Sequence, residues 1–172
     1  LSQAEHGKDS QSIVFTTSQA LAQALVAEIE AQVAVAPRKD FIKCSLEHSK
    51  IFILDNMDDV VAMSNEYAPE HLIIMCKDYA TVAEQITNAG SVFMGYYTPE
   101  SAGDYASGTN HTLPTSGYAK AYSGVNLDSY LKKITFQEIT HDGIQKLGDT
   151  IEIMAENEQL MAHKYAVSIR RQ

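Results

Sequence analysis

Four small groups of residues carry chemistry worth weighing. The first is Gln3-Ala4-Glu5-His6. Side chains three apart share one face of a helix or turn, so Gln3 and His6 can converge on a point. An imidazole nitrogen and an amide oxygen there suit a borderline metal such as zinc. Polar capping residues at a helix start are the commoner meaning of such spacing. The second group is Tyr67-Ala68-Pro69-Glu70-His71. An adjacent acid and imidazole at an element junction can divide acid and base work, because His titrates near neutrality and burial tunes Glu upward. A solvated loop pair is the plainer alternative. The third is Gly103-Asp104 through Asn110-His111, where Asp104 can present a carboxylate to a metal or simply close an Asx turn. The fourth is Glu156, Glu158 and His163 near the end of the chain, where a lone helical His is more often a neutral packed side chain.

The elements that must position these groups follow from periodicity. Residues 12–17 (SIVFTT) read as a buried strand. Ser18 caps a helix over 18–35, with Leu21, Leu25, Ile29 and Val33 expected to face a core. A short helix over 38–48 precedes a strand at 50–54. Asp55-Asn56 caps a helix over 57–66, which ends before Pro69. Residues 71–76 and 91–95 read as strands around a helix at 78–88. Strands alternating with helices predict an α/β fold: a mostly parallel sheet with helices on both faces, an incomplete Rossmann-like arrangement. Residues 98–124 are rich in Gly, Ser, Thr and Pro and read as a long, functional loop. Helices at about 126–133, 141–157 and 159–170, with an extended piece at 134–139, predict a small helical appendage. The expected division is therefore an α/β body over 1–124 and a helical tail over 125–172.

Composition narrows the possibilities further. The chain has 172 residues, is 45% apolar and carries a formal charge of −9. That acidity argues against a nucleic-acid partner, whose affinity would come from surplus Lys and Arg. No stretch reaches the roughly 18–20 apolar residues of a membrane span, and no basic-then-apolar signal peptide opens the chain. Two cysteines, Cys44 and Cys76, cannot build a disulfide framework, which suggests a reducing, cytoplasmic setting. The chain opens on Leu1 directly into a dense polar motif, which reads as an internal cut. Gly90-x4-Gly95 follows a helix and lies in a strand, the wrong context for a nucleotide loop.

Taken together and in order, SQAEHG-DSQ (2–11), NEYAPEHL (65–72), NAGSVFMG (88–95), ESAGDYASGTNHTLPT (100–115) and Glu158-x4-His163 resemble histidinol dehydrogenase. The resemblance covers essentially the whole chain but only about the last two-fifths of that enzyme. It implies a zinc-dependent, NAD-linked oxidation of L-histidinol to L-histidine through the aldehyde, the last steps of histidine biosynthesis. The family's zinc ligands fall on Gln3, His6, Asp104 and His163. Its acid–base pair falls on Glu70 and His71, and a further substrate-contacting glutamate on Glu158. The substrate is expected to touch Gln3, His6, His71, Asp104, Glu158 and His163.

The resemblance also implies that NAD is bound by an upstream part, so no cofactor-binding residue is expected in this segment, nor activity from it alone. It implies a homodimer in which the helical tail completes the partner's site. Two other function classes compete with this reading: a non-catalytic dimerisation scaffold with an unformed zinc site, and a metal-dependent hydrolase using Glu70 as base. Zinc content and NAD dependence separate them.

Overall fold

Ser18 starts the first long helix as its residue type demands. Its Oγ accepts from the Leu21 backbone N–H at 3.2 Å, satisfying one of the free donors of a helix N-terminus. The computed structural model describes all residues, 1–172. Strand β1 (Ile13–Thr16) leads into helix α1 (Gln19–Val35), followed by α2 (Lys39–His48) and β2 (Lys50–Ile53). Then come α3 (Met57–Tyr67), β3 (His71–Ile74), the short α4 (Tyr79–Ala83), β4 (Ser91–Met94) and α5 (Glu100–Tyr105). Asn56 caps α3 as expected, its Oδ1 accepting from the Asp59 N–H at 2.9 Å.

The strands pair in parallel, as βαβ connections require. β1 pairs with β2, with Phe15 opposite Phe52, and β3 pairs with β4, with His71 opposite Ser91 and Ile73 opposite Phe93. They form two separate two-stranded sheets rather than one continuous sheet. Phe15 and Phe52 stack across the first sheet with ring centroids 5.6 Å apart.

Two compact units make up the chain, Leu1–Tyr130 and Leu131–Gln172. In the first, a core of Ala4, Val33 and Ile42 is extended by Ile29, Ala36 and Leu46. α1 turns Ala22 and Val33 inward, while Leu21, expected to face the core, is 57% exposed. The second unit is a hairpin of α6 (His141–Asn157) and α7 (Met161–Ser168). Its turn passes through Gln159 in the left-handed region at φ 61°. Arg171 clamps the hairpin through Asp149 at 2.7 Å and Glu152 at 3.2 Å. These two carboxylates hold its guanidinium pKa above the ordinary range.

Three expectations need correction. The helix expected over 78–88 stops at Ala83. The loop expected over 98–124 contains α5 and a 3₁₀ turn at Tyr118–Lys120. The helix expected over 126–133 is only a 3₁₀ turn, Leu127–Tyr130.

Candidate active site

Gln3–Glu5 forms a 3₁₀ turn. Side chains three apart eclipse in that geometry, so Gln3 and His6 leave the same face. Ala4 between them is 1% exposed and packed against Val33 and Ile42, which fixes the turn to the core. Ser45 on α2 is fully buried, and its Oγ donates to the Ser10 carbonyl at 2.9 Å, tying down the segment that follows.

Glu70 and His71 enter β3 through a strained turn. Ala68, 1% exposed, ends α3 in the left-handed region at φ 52°, its N–H donating to the Ser64 carbonyl. The Pro69 carbonyl then accepts from Gly90 N–H and the Glu70 carbonyl from Ser91 N–H, both at 2.9 Å. Gly90 must be glycine here, since a Cβ would lie 2.5 Å from the Glu70 carbonyl oxygen and 3.2 Å from Leu113 Cβ. Three of the sequence motifs thus meet at one point: Glu70, Gly90 and Leu113.

Asp104 sits on α5, not in an open loop. Gly103 beside it is buried against Phe93 of β4, with a Cβ position only 2.8 Å from the ring. Phe93 also tilts against the His71 ring at 5.9 Å between centroids. One buried phenyl ring therefore sets both α5 and His71.

The consequence is a cluster that the sequence reading only partly named. Ligand atoms of His6, Asp104 and Glu100 all lie within 4.8 Å of one another. Glu100, one helical turn before Asp104, is 3% exposed. Its Oε1 is 3.9 Å from His71 Nε2, and the two side chains are 2% and 9% exposed. Neither atom has a hydrogen-bond partner, and neither does the buried Gln3 Nε2. A signal for Glu100 was present: two carboxylates at i and i+4 repel unless something positive lies between them.

These groups fit a divalent cation of the zinc type. Imidazole and carboxylate are its ordinary donors, and four ligands about 2.1 Å from a tetrahedral ion lie about 3.4 Å apart, a modest contraction of this cluster. Turning the Gln3 amide by half a revolution would present its oxygen where an unpartnered nitrogen now lies. His6 is exposed, so the cluster is open on one side.

A dinucleotide does not fit in the same way. Gly95 does follow β4, at φ 83°, but the helix after it begins with the buried Glu100, whose charge opposes a pyrophosphate. Glu158 and His163 belong to the second unit, Glu158 capping the end of α6 and His163 exposed on α7.

Residues 1–171 match the family model described as histidinol dehydrogenase. The chain is 58% identical over 170 residues to histidinol dehydrogenase of Bacteroides fragilis, covering 99% of itself and 40% of that protein. It is 52% identical to the Haemophilus influenzae enzyme, with the same shares covered. The crystal structure of histidinol dehydrogenase from Elizabethkingia anophelis superposes with a TM-score of 0.90 at 54% identity, over 98% of this chain and 39% of that one. The chain thus spans about two-fifths of the length of the relatives it matches, and it belongs to the histidinol dehydrogenase family.

Proposed function

We propose that this chain supplies the metal- and substrate-binding part of a histidinol dehydrogenase, oxidising L-histidinol to L-histidine through the aldehyde. The observation that carries it is the convergence of His6 and Asp104 on the buried Glu100, with His71 beside that carboxylate, in a chain that matches the family along its length. Gln3, His6 and Asp104, with His163 of the tail, would hold zinc. When bound, zinc would serve mainly as a template that orients the substrate through its imidazole and amino nitrogens.

The chain's own residues do the proton work. His71 accepts the alcohol proton as hydride leaves carbon. Glu70 then takes a proton from the water that attacks the aldehyde, and His71 accepts the proton released when the hydrate is oxidised. Glu158 contacts the substrate. NAD is the hydride acceptor in this reading, held by residues outside this chain.

The acting form is proposed to be a cytoplasmic homodimer in which the tail of one copy completes the site of the other. The support is apolar surface on the second unit, where Ile134 is 70% and Phe136 91% exposed. No helix is long and apolar enough to cross a membrane.

The test uses a chimera in which these residues replace the matching part of the Bacteroides fragilis relative. Single-turnover NADH formation is followed from histidinol and from the aldehyde. Glu70→Gln should largely retain the first oxidation and lose the second by about 100-fold or more, the usual contribution of a general base. Equal loss of both steps would refute this division of labour.

A further inference from the structure

We infer that Glu100 is the positioning residue for His71, an inference that rests on the proposed role of His71 as base. The carboxylate is buried, and a buried carboxylate without a partner is unfavourable, so such groups are retained where something compensates them. No Lys or Arg lies within ion-pair distance of it; the one basic group that does is His71, with Nε2 3.9 Å from Oε1.

Both atoms lack any other hydrogen-bond partner, so each is the available partner of the other. Catalytic hydrogen bonds are often long before substrate binds and shorten afterwards. Phe93 limits the alternatives by packing on the His71 ring at 5.9 Å and on Gly103, which fixes the helix that carries Glu100.

The chemical consequence is specific. A carboxylate at Nε2 keeps the proton on that nitrogen, which makes Nδ1 the ring atom with the free lone pair. Glu100 therefore sets which nitrogen of His71 accepts the substrate's proton. Its place beside His6 and Asp104, within 4.8 Å, ties the orientation of that ring to the metal-type cluster. Glu100 itself transfers no proton to or from substrate.

Two measurements test this. In the chimera, Glu100→Gln should lower kcat about 10- to 100-fold, the usual cost of removing an outer orienting carboxylate, with KM for histidinol within about threefold and zinc content retained. In the 172-residue chain alone, long-range ¹H–¹⁵N correlation spectra should show neutral His71 as the Nε2–H tautomer. That preference should be lost in Glu100→Gln, with the resonance assigned by its disappearance in His71→Gln.

Loss of zinc from Glu100→Gln would make Glu100 a metal ligand and overturn the inference. An unchanged tautomer, or an unchanged kcat, would overturn it as well. Full activity of His71→Asn would instead remove the base assignment, and the tautomer spectrum would still decide whether Glu100 orients that ring.

Discussion

Replacing Gly90 by alanine puts a methyl group in place of a hydrogen at the most closely approached glycine of the first unit. The new Cβ would sit 2.5 Å from the Glu70 carbonyl oxygen, 3.3 Å from its carbonyl carbon and 3.2 Å from Leu113 Cβ. Ordinary contacts begin near 3.4 Å, so the Glu70 backbone must retreat by about 0.5–0.9 Å. It is not free to do so. Its carbonyl accepts from Ser91 N–H, and Gly90 N–H itself donates to the Pro69 carbonyl, both at 2.9 Å. Overpacking of this kind costs about 1–3 kcal/mol.

The same shift moves Glu70 and His71 together, and misplacement approaching 1 Å costs on the order of 10- to 100-fold in rate. Gly108→Ala is the control. Its Cβ would meet nothing within 4 Å, but φ is 85°, so it should lose about 1–2 kcal/mol through backbone strain alone. Urea denaturation of both variants and kcat in the chimera are the assays. Comparable destabilisation is expected for the two, with rate loss confined to Gly90→Ala. A Gly90→Ala chain within about 0.5 kcal/mol of the parent, or rate loss equal in both, would refute the reasoning.

Asn65→Ala should cost about 1–3 kcal/mol in urea denaturation, because it leaves groups unpaired rather than merely removing a bond. Its side chain accepts from Thr87 N–H at 2.8 Å and donates to the Gln85 carbonyl at 2.9 Å, and faster amide exchange at Thr87 and Asn88 should accompany the loss. An effect under about 0.5 kcal/mol would sink the idea. Tyr67 gives a pH signature. Burial raises its phenol above the ordinary value of 10.0, and its O–H donates to Gln11 Oε1 at 2.7 Å. The folded chain therefore keeps the proton to higher pH than the unfolded chain. That stability is fully present below the unfolded value and fades as pH rises through the folded one. Tyr67→Phe should flatten the alkaline decline in melting temperature, and parallel curves for the two proteins would contradict it.

Much of the first unit was legible because its signals are local. Ser18 and Asn56 start helices through their own side chains, and strands at 13–16, 50–53, 71–74 and 91–94 lie within one or two residues of their expected bounds. What escaped depends on distant partners. The helix expected over 78–88 ends early because Asn65, over twenty residues upstream, captures the backbone N–H groups of Thr87 and Asn88. Sheet connectivity is likewise non-local: each strand shows its parallel habit, but nothing in the runs says that two pairs stay separate.

Val33 and Ile29 of the expected apolar stripe do meet the core, whereas Leu21 at its N-terminal end is exposed and Ala22 beside it is buried, a local detail that periodicity alone does not fix. Asp104 could be named from its motif. Glu100 could not be valued until Gly103 was seen pressed on Phe93, turning that helix so that both carboxylates meet His6.

Zinc titration of the 172-residue chain by calorimetry, with His6→Ala and Asp104→Ala beside the parent, addresses the proposed metal site most directly. One equivalent should bind the parent, and each variant should bind at least about 10-fold more weakly. No binding by the parent, or equal affinity in all three proteins, would contradict the proposal that His6 and Asp104 hold a metal.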